Sequence, residues 1–357
     1  MSNNNSINYS PQEKPQQVVS KGEFIIAAMS LNHNHIYEMC RGLLEAGATL
    51  KWVYDPDPAK VKKFCETYPS VNVAASREVI LQDPEVQLVA AAAIPCDRGA
   101  LGVEVMNHGK DYFTDKTPFT TLEQLSQAKE AVMRTGKKYA ISYSERVHVE
   151  SAVFAGQLVQ AGAIGRVVQV HGLGPHRLST HPRPDWFFKK KQYGGILCDI
   201  GIHQIESFLY YADCKDAKVL HSKIANYNNE HHPEFEDFGD ATLCGDNGAT
   251  NYFRVDWLSP SGLSTWGDGR MFILGTEGYI EMRKYVDIAR DLDGDHLYIV
   301  NNDGERRLEL KGKVGFPYFG NLIMDCLNRT EMAMTQEHAF KAAELCLLAQ
   351  LQAIRVG

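Results

Sequence analysis

Between Phe24 and about Ile141, short apolar runs alternate with segments whose apolar residues recur at helical spacing, and nothing else in this 357-residue chain restricts its fold as much. Phe24–Ala28, Thr49–Tyr54, Val71–Val73, Val86–Ala92, Tyr112–Phe113 and Tyr139–Ser142 read as strands; His35–Ala46, Pro58–Thr67, Arg98–Gly109 and Leu122–Thr135 read as helices. Neighbouring parallel strands need a crossover connection, so this alternation predicts βαβ units and a doubly wound parallel sheet. A cofactor is then expected at the carboxyl ends of the strands.

The pattern changes after Tyr143. A helix over about Val147–Ala161 and a strand at Arg166–His171 lead to a Pro/His/Trp-containing loop, then a helix from about Asp199 to Tyr211. Ala217–Tyr227, Asp240–Gly245, Thr250–Trp257, Arg270–Gly275 and Tyr279–Arg283 follow as strands with little helix between them, and two helices near Tyr318–Leu327 and Gln336–Ala353 close the chain. Segregated strands of this kind predict an α+β domain with a large, mainly antiparallel open sheet. Residues 1–22, rich in Asn, Ser, Gln and Pro, read as a disordered arm. The expected division is therefore 1–22, 23–143 and 144–357.

A net charge of -7 and a single short basic run, Lys189–Lys191, give no reason to expect nucleic acid or an anionic membrane as partner. No stretch approaches the roughly 20 apolar residues of a membrane span, and no signal pattern opens the chain, so a cytoplasmic protein is expected. Eight cysteines lie scattered without a CxxC pair, as reduced buried thiols do.

Asp55 stands at the end of the second strand in Asp55-Pro56-Asp57-Pro58. A carboxylate there can accept the adenosine ribose hydroxyls and repel a 2′-phosphate, which favours NAD over NADP; equally, Asp55 or Asp57 can simply cap the next helix. The turn after the first strand, Met29-Ser30-Leu31-Asn32-His33-Asn34, has no glycine where a dinucleotide fingerprint has three, and Met29 falls at the second of them. Ser30 or Asn32 could cap the following helix and, with His33, hold a pyrophosphate at its amides.

Asp115-Lys116-Thr117-Pro118 places a lysine at the sheet edge, where an ammonium can stabilise charge developing on a substrate oxygen, or merely be solvated. In Tyr193-Gly194-Gly195-Ile196-Leu197-Cys198-Asp199-Ile200-Gly201-Ile202-His203-Gln204-Ile205-Glu206, a regular helix stacks Asp199, His203 and Glu206 on one face amid isoleucines. That arrangement suits proton transfer by His203, a satisfied structural pair, or a metal site; no other ligand group clusters with it, and no metal is expected. His176, Arg177 and Trp186 in the preceding loop could bind hydroxyls or stack on a sugar face. Glu145, Arg146 and His148 border the expected cleft.

Taken together, the order of strand–helix units, Asp55-Pro56-Asp57-Pro58, Asp115-Lys116 before Pro118, Gly162-Ala163-Ile164-Gly165-Arg166 and the Gly194–His203 run resemble the Gfo/Idh/MocA oxidoreductases from Phe24 to the C-terminus. The resemblance implies a Rossmann domain, a substrate domain whose open sheet mediates a homodimer or homotetramer, NAD(P) as cofactor, and a sugar, inositol or related polyol as substrate. It implies Lys116, Asp199 and His203 as the catalytic set and adds Pro95 and Asp115 to the cofactor contacts, with Arg146 among the substrate contacts. The replaced glycines and the change of Glu-Lys-Pro to Asp115-Lys116-Thr117-Pro118 are departures. The expected activity is hydride transfer between nicotinamide and a secondary alcohol. Redox-neutral, NAD-assisted glycoside cleavage and a non-catalytic nucleotide-dependent binding protein are the alternatives.

Overall fold

The computed structural model describes residues 7–11, 14–178 and 183–356. Strands β1 (Ile25–Met29), β2 (Thr49–Tyr54), β3 (Asn72–Val73), β4 (Leu88–Ala91), β5 (Asp111–Asp115) and β6 (Tyr139–Ser142) form one parallel sheet in the order β3-β2-β1-β4-β5-β6. Helices α1 (His35–Glu45), α2 (Pro58–Thr67), α3 (Arg77–Gln82), α4 (Pro95–Asn107) and α5 (Leu122–Thr135) are the crossovers. Strand order reverses between β1 and β4, so the loops leaving those two strands diverge and open a crevice. Side chains alternate across the sheet: Ile26 and Ala28 enter a core with Met39, Leu43 and Phe64, while Ala27 and Met29 enter the opposite core with Val89 and Tyr112.

The second region begins with α6 (Ser144–Val147) and α7 (Glu150–Gln160), then β7 (Val167–Pro175), a 3-10 turn at Asp185–Phe188 and α8 (Lys190–Tyr193). A π-turn over Leu197–Gly201 runs into α9 (Ile202–Tyr211). Strands β8 (Ala217–Ala225), β9 (Phe238–Gly245), β10 (Thr250–Asp256), β11 (Arg270–Gly275), β12 (Gly278–Arg283), β13 (His296–Asn301) and β14 (Gly304–Glu309) follow, then α10 (Pro317–Asn328), α11 (Gln336–Leu351) and β15 (Ile354–Arg355). The nine strands run β14-β13-β12-β11-β7-β10-β9-β8-β15, antiparallel except for the β7–β10 and β8–β15 pairs. Helices α7, α9 and α11 pack on this sheet, whereas Tyr252, Phe272 and Leu274 remain exposed on it.

Some elements escape the sequence pattern. Strand β14, Gly-Glu-Arg-Arg-Leu-Glu, is a charged edge strand with little apolar alternation to betray it. Helix α10 leaves the second region and packs on the first sheet, where Phe319 shares a core with Phe113. Gly42 of α1 permits that approach, since a Cβ there would collide with the Phe319 ring.

The disordered arm is corrected. Its described residues strap the body: the Val18 amide donates to Ala46 O at 3.0 Å and Val19 is buried, while Tyr9 donates to Asp303 at 2.9 Å with Arg306 4.2 Å above its ring. A few apolar residues in an extended strap have no helical or strand period, so composition outweighs them on reading. Among the described residues no helix is long and apolar enough to cross a membrane.

Candidate active site

The crevice begins where β1 ends. Met29 is the last strand residue and lies buried in the sheet core, so it does not occupy the turn as the sequence suggested. Ser30 follows at φ 56°, in the left-handed region that side chains disfavour. Its amide donates to Tyr54 O at 3.1 Å and its carbonyl accepts from the Ala92 amide at 3.2 Å, pinning the turn to both neighbouring strands. Asp55 completes the fastening: Oδ2 accepts from the Leu31 amide at 2.6 Å and Oδ1 from the Asp57 amide at 2.9 Å. With its side chain 1% exposed, Asp55 is engaged by the turn rather than open to a ribose; Asp57 is the cap of α2, accepting from the Ala59 amide at 2.9 Å. Neither Ser30 nor Asn32 caps α1. The N-cap is Asn34, without a side-chain bond, and the His33 ring nitrogen Nδ1 accepts the His35 amide at 3.3 Å. Among the described residues the Asn32 and Asn34 amides bond no protein acceptor, which leaves them as the turn's donors for an anion.

Behind the turn, Asp115 ends β5 fully buried, with Oδ1 2.8 Å from His35 Nδ1 and Oδ2 3.4 Å from His33 Nδ1. Arg98 of α4 donates to Asp115 Oδ2 at 3.1 Å and to Ala93 O at 2.7 Å, and it also bonds the Lys116 carbonyl. Burial alone would raise the Asp115 carboxyl, but the charges of His35 and Arg98 hold it well below the usual range. Desolvation of the His33 ring and the neighbouring His35 keep His33 far below an ordinary imidazole. Pro95 opens α4 at the end of the β4 loop, lending the helix its fixed φ and shaping the crevice floor.

Deeper in, Lys116 Nζ donates at 2.8 Å to both Asp199 Oδ1 and Asp199 O. The π-turn holds Asp199 there; its wider coil breaks the 3.6-residue stacking that a regular helix would have given Asp199, His203 and Glu206. His203 lies in the first turn of α9, 2% exposed. Burial drives its pKa down to about 3, against the opposing pull of Glu145. Glu145 Oε2 accepts from Lys284 Nζ at 2.9 Å and from Gln204 Nε2 at 3.2 Å. Burial opposes ionisation of Glu145, yet Lys284 brings its pKa down to about 2. His176, tilted against Trp266 at 4.5 Å and edge-on to Trp257 at 5.2 Å, is lowered to about 4 by burial. In this pocket Asp199 Oδ2, Glu145 Oε1 and His203 Nδ1 are buried with no hydrogen-bond partner among the described residues. Two carboxylate oxygens and a ring nitrogen left bare cost free energy unless a ligand supplies donors.

Two family models match the chain: residues 26–143 fit "Oxidoreductase family, NAD-binding Rossmann fold", and residues 153–281 fit the "GFO/IDH/MocA C-terminal domain". A crystal structure from Erwinia carotovora atroseptica SCRI1043, of a protein assigned provisionally to the oxidoreductases, shares 54% identity and covers 94% of this chain and 100% of its own, at a TM-score of 0.91. The chain belongs to the GFO/IDH/MocA oxidoreductase family. Within it, the scyllo-inositol 2-dehydrogenase (NAD(+)) of Bacillus subtilis (strain 168) is 25% identical over 240 residues, 66% of each chain. The D-xylose dehydrogenase of Paenarthrobacter nicotinovorans is 24% identical over 153 residues, 41% of this chain and 38% of that one. The chain thus spans just under two thirds, or less, of the length of these curated relatives.

Against the family pattern, the remaining expected contacts separate. Lys116, Asp199, His203 and His176 converge. Arg146 does not: its guanidinium is locked on Glu206 at 2.6 Å and lies over the Tyr210 ring at 3.9 Å. Glu206 also takes His338 at 2.9 Å, so it is a structural anchor. Arg177 fastens a loop by donating to Leu263 O and, at 2.6 Å, to Thr265 O. Trp186 sits half-buried beside Phe187 at 5.9 Å, and Trp257 takes the wall position instead. Part of that loop, residues 179–182, lies outside the described residues. Sequence reading undervalued Glu145 and missed Lys284, Trp257 and Trp266, which reach the pocket from separate elements of the second sheet. It also missed His35, the one i+2 repeat of histidine in the turn.

Proposed function

We propose that the chain is an NAD-dependent dehydrogenase or reductase that exchanges a hydride with a secondary alcohol of a sugar, inositol or related polyol. The observation that carries this reading is the pair of bare carboxylate acceptors, Asp199 Oδ2 and Glu145 Oε1, with the unpartnered His203 Nδ1, beside the Lys116 ammonium. Several acceptors in one buried pocket call for a ligand with several O–H donors. The identity with an inositol dehydrogenase and a xylose dehydrogenase points the same way.

A dinucleotide fits the crevice by topology and by the Asn32 and Asn34 amides. When bound, the nicotinamide supplies the hydride acceptor or donor. In the oxidation direction His203, neutral over the whole physiological range, takes the proton of the substrate hydroxyl. Lys116 holds the oxygen as negative charge develops, and Asp199 fixes the ammonium in place. Asp55 keeps a negative charge at the ribose end of β2 and so favours NAD over NADP, although Lys60 at 3.8 Å softens the discrimination. The exposed Tyr252, Phe272 and Leu274 give the second sheet a self-association face, and a homo-oligomer is part of this reading.

The test is a panel of inositols and aldoses offered with NAD and with NADP, following reduced nicotinamide. The reading requires net reduction of NAD by at least one free polyol. Release of sugar from glycosides without net nucleotide reduction supports the redox-neutral alternative, and nucleotide binding without any turnover supports the non-catalytic one.

A further inference from the structure

The first turn invests much to hold its shape. Ser30 adopts a left-handed backbone that a side chain enters at a cost of about 1 kcal/mol or more. Asp55 gives one oxygen to the Leu31 amide of this turn and the other to the Asp57 amide of its own loop. What this arrangement delivers is His33 and His35, side by side with rings 4.1 Å apart and edge-to-face, onto the buried Asp115 carboxylate. One ligand-type atom from each of the three lies within 4.8 Å of the other two.

We infer that this turn is a metal site, with His33, His35 and Asp115 as protein ligands to a first-row divalent transition ion such as zinc. Two imidazoles and one carboxylate make a ligand set with open positions, used for zinc and its neighbours in the first row. Calcium and magnesium, which want several oxygen donors, suit it poorly. Arg98 is placed as an outer-shell partner is: it bonds Asp115 Oδ2 at 3.1 Å and orients the carboxylate, with Oδ1 facing His35 at 2.8 Å and Oδ2 facing His33 at 3.4 Å. The imidazoles are 25% and 38% exposed, so an ion reaches them without opening the core. Arg98 and Lys116 are the cations near the cluster, and Asp115 and Asp199 balance them. An ion added there carries its own charge into the crevice, at the position where fingerprint glycines would otherwise offer bare amides to an anion. The inference is independent of the polyol reading.

The probe is Co2+, titrated into untagged protein stripped with a chelator, followed by visible absorption and by elemental analysis after dialysis. One Co2+ per chain is expected, displaced by Zn2+, and His33→Ala and His35→Ala should each weaken binding at least about a hundredfold. Each variant withdraws a partner from the buried Asp115, so a single cooperative thermal transition is confirmed before its titration. Asp115 itself, paired with Arg98, is left unaltered. Absence of saturable Co2+ binding would overturn the site. So would undiminished binding in the His33→Ala/His35→Ala double variant, which would place the ion elsewhere, for example on the His231–His232 pair. Turnover of a free polyol, measured in parallel, reports on the proposed activity, whereas Co2+ occupancy reports on this site.

Discussion

The two ends of the crevice differ in how far they keep to the family pattern. At the inner end Lys116 is bonded to Asp199, with His203 buried nearby, and Asp199 Oδ2 and Glu145 Oε1 have no hydrogen-bond partner among the described residues. At the outer end the glycines are gone, the turn amides are largely satisfied by Asp55, Tyr54 and Ala92, and a histidine pair faces a buried carboxylate. Chemistry at the inner end depends on side-chain groups that no other residue type supplies. Holding a nucleotide at the outer end needs only donors and charge, and these can come from more than one source. Side-chain chemistry therefore constrains a site more tightly than backbone approach does.

If that contrast holds, the largest effects belong to the inner end. His203→Ala and Lys116→Ala should each lower turnover by about a hundredfold or more with NAD affinity nearly unchanged, as read by steady-state kinetics and calorimetry. Near-wild-type turnover in either would remove that residue from the catalytic set.

A second effect is on stability against pH. Above about pH 6.5 neither folded nor unfolded chain protonates His203; as pH falls the unfolded chain takes up the proton while the folded chain refuses it down to about 3. Stability should therefore decline from roughly pH 6.5 downward, and His203→Gln should flatten that decline in thermal melts between roughly pH 6.5 and 5. Glu145, lowered to about 2, acts in a separate window: its contribution is present above its usual 4.5 and is lost only as pH falls from there toward 2.

At the outer end the effects are smaller and concern the turn itself. Asp55→Ala leaves the Leu31 and Asp57 amides without their acceptor and should cost about 1–3 kcal/mol in denaturant unfolding, while narrowing any preference for NAD over NADP. A variant with unchanged stability would show that the carboxylate is not what holds the turn. Smallest of all, Ser30→Gly relieves the left-handed backbone and should stay within about 1 kcal/mol of wild type, on the stabilising side.

The parallel sheet was legible because its strands and helical segments alternate so regularly, and the motifs that carry Lys116 and Asp199 marked two side chains that the fold brings within 2.8 Å. Three physical features hid the rest. The π-turn at Leu197–Gly201 takes Asp199 off the 3.6-residue projection that stacked it with His203 and Glu206, and Glu206 is held by Arg146 and His338. Arg146 and Arg177 carry the right charge, but only tertiary packing tells that their guanidinium groups are already engaged. Lys284 and Trp257 enter the pocket from strand ends more than fifty residues past His203, where no local pattern marks them.

In the proposed reaction the inner pocket passes a hydride from a polyol carbon while His203 takes the hydroxyl proton. Its most direct test offers the chain perdeuterated inositols and aldoses with NAD and measures the mass of the recovered nucleotide. Deuterium should appear in the reduced nicotinamide, with the rate of transfer falling about a hundredfold in His203→Ala. Unlabelled nucleotide across the whole panel, or label transferred at the wild-type rate without His203, would contradict it.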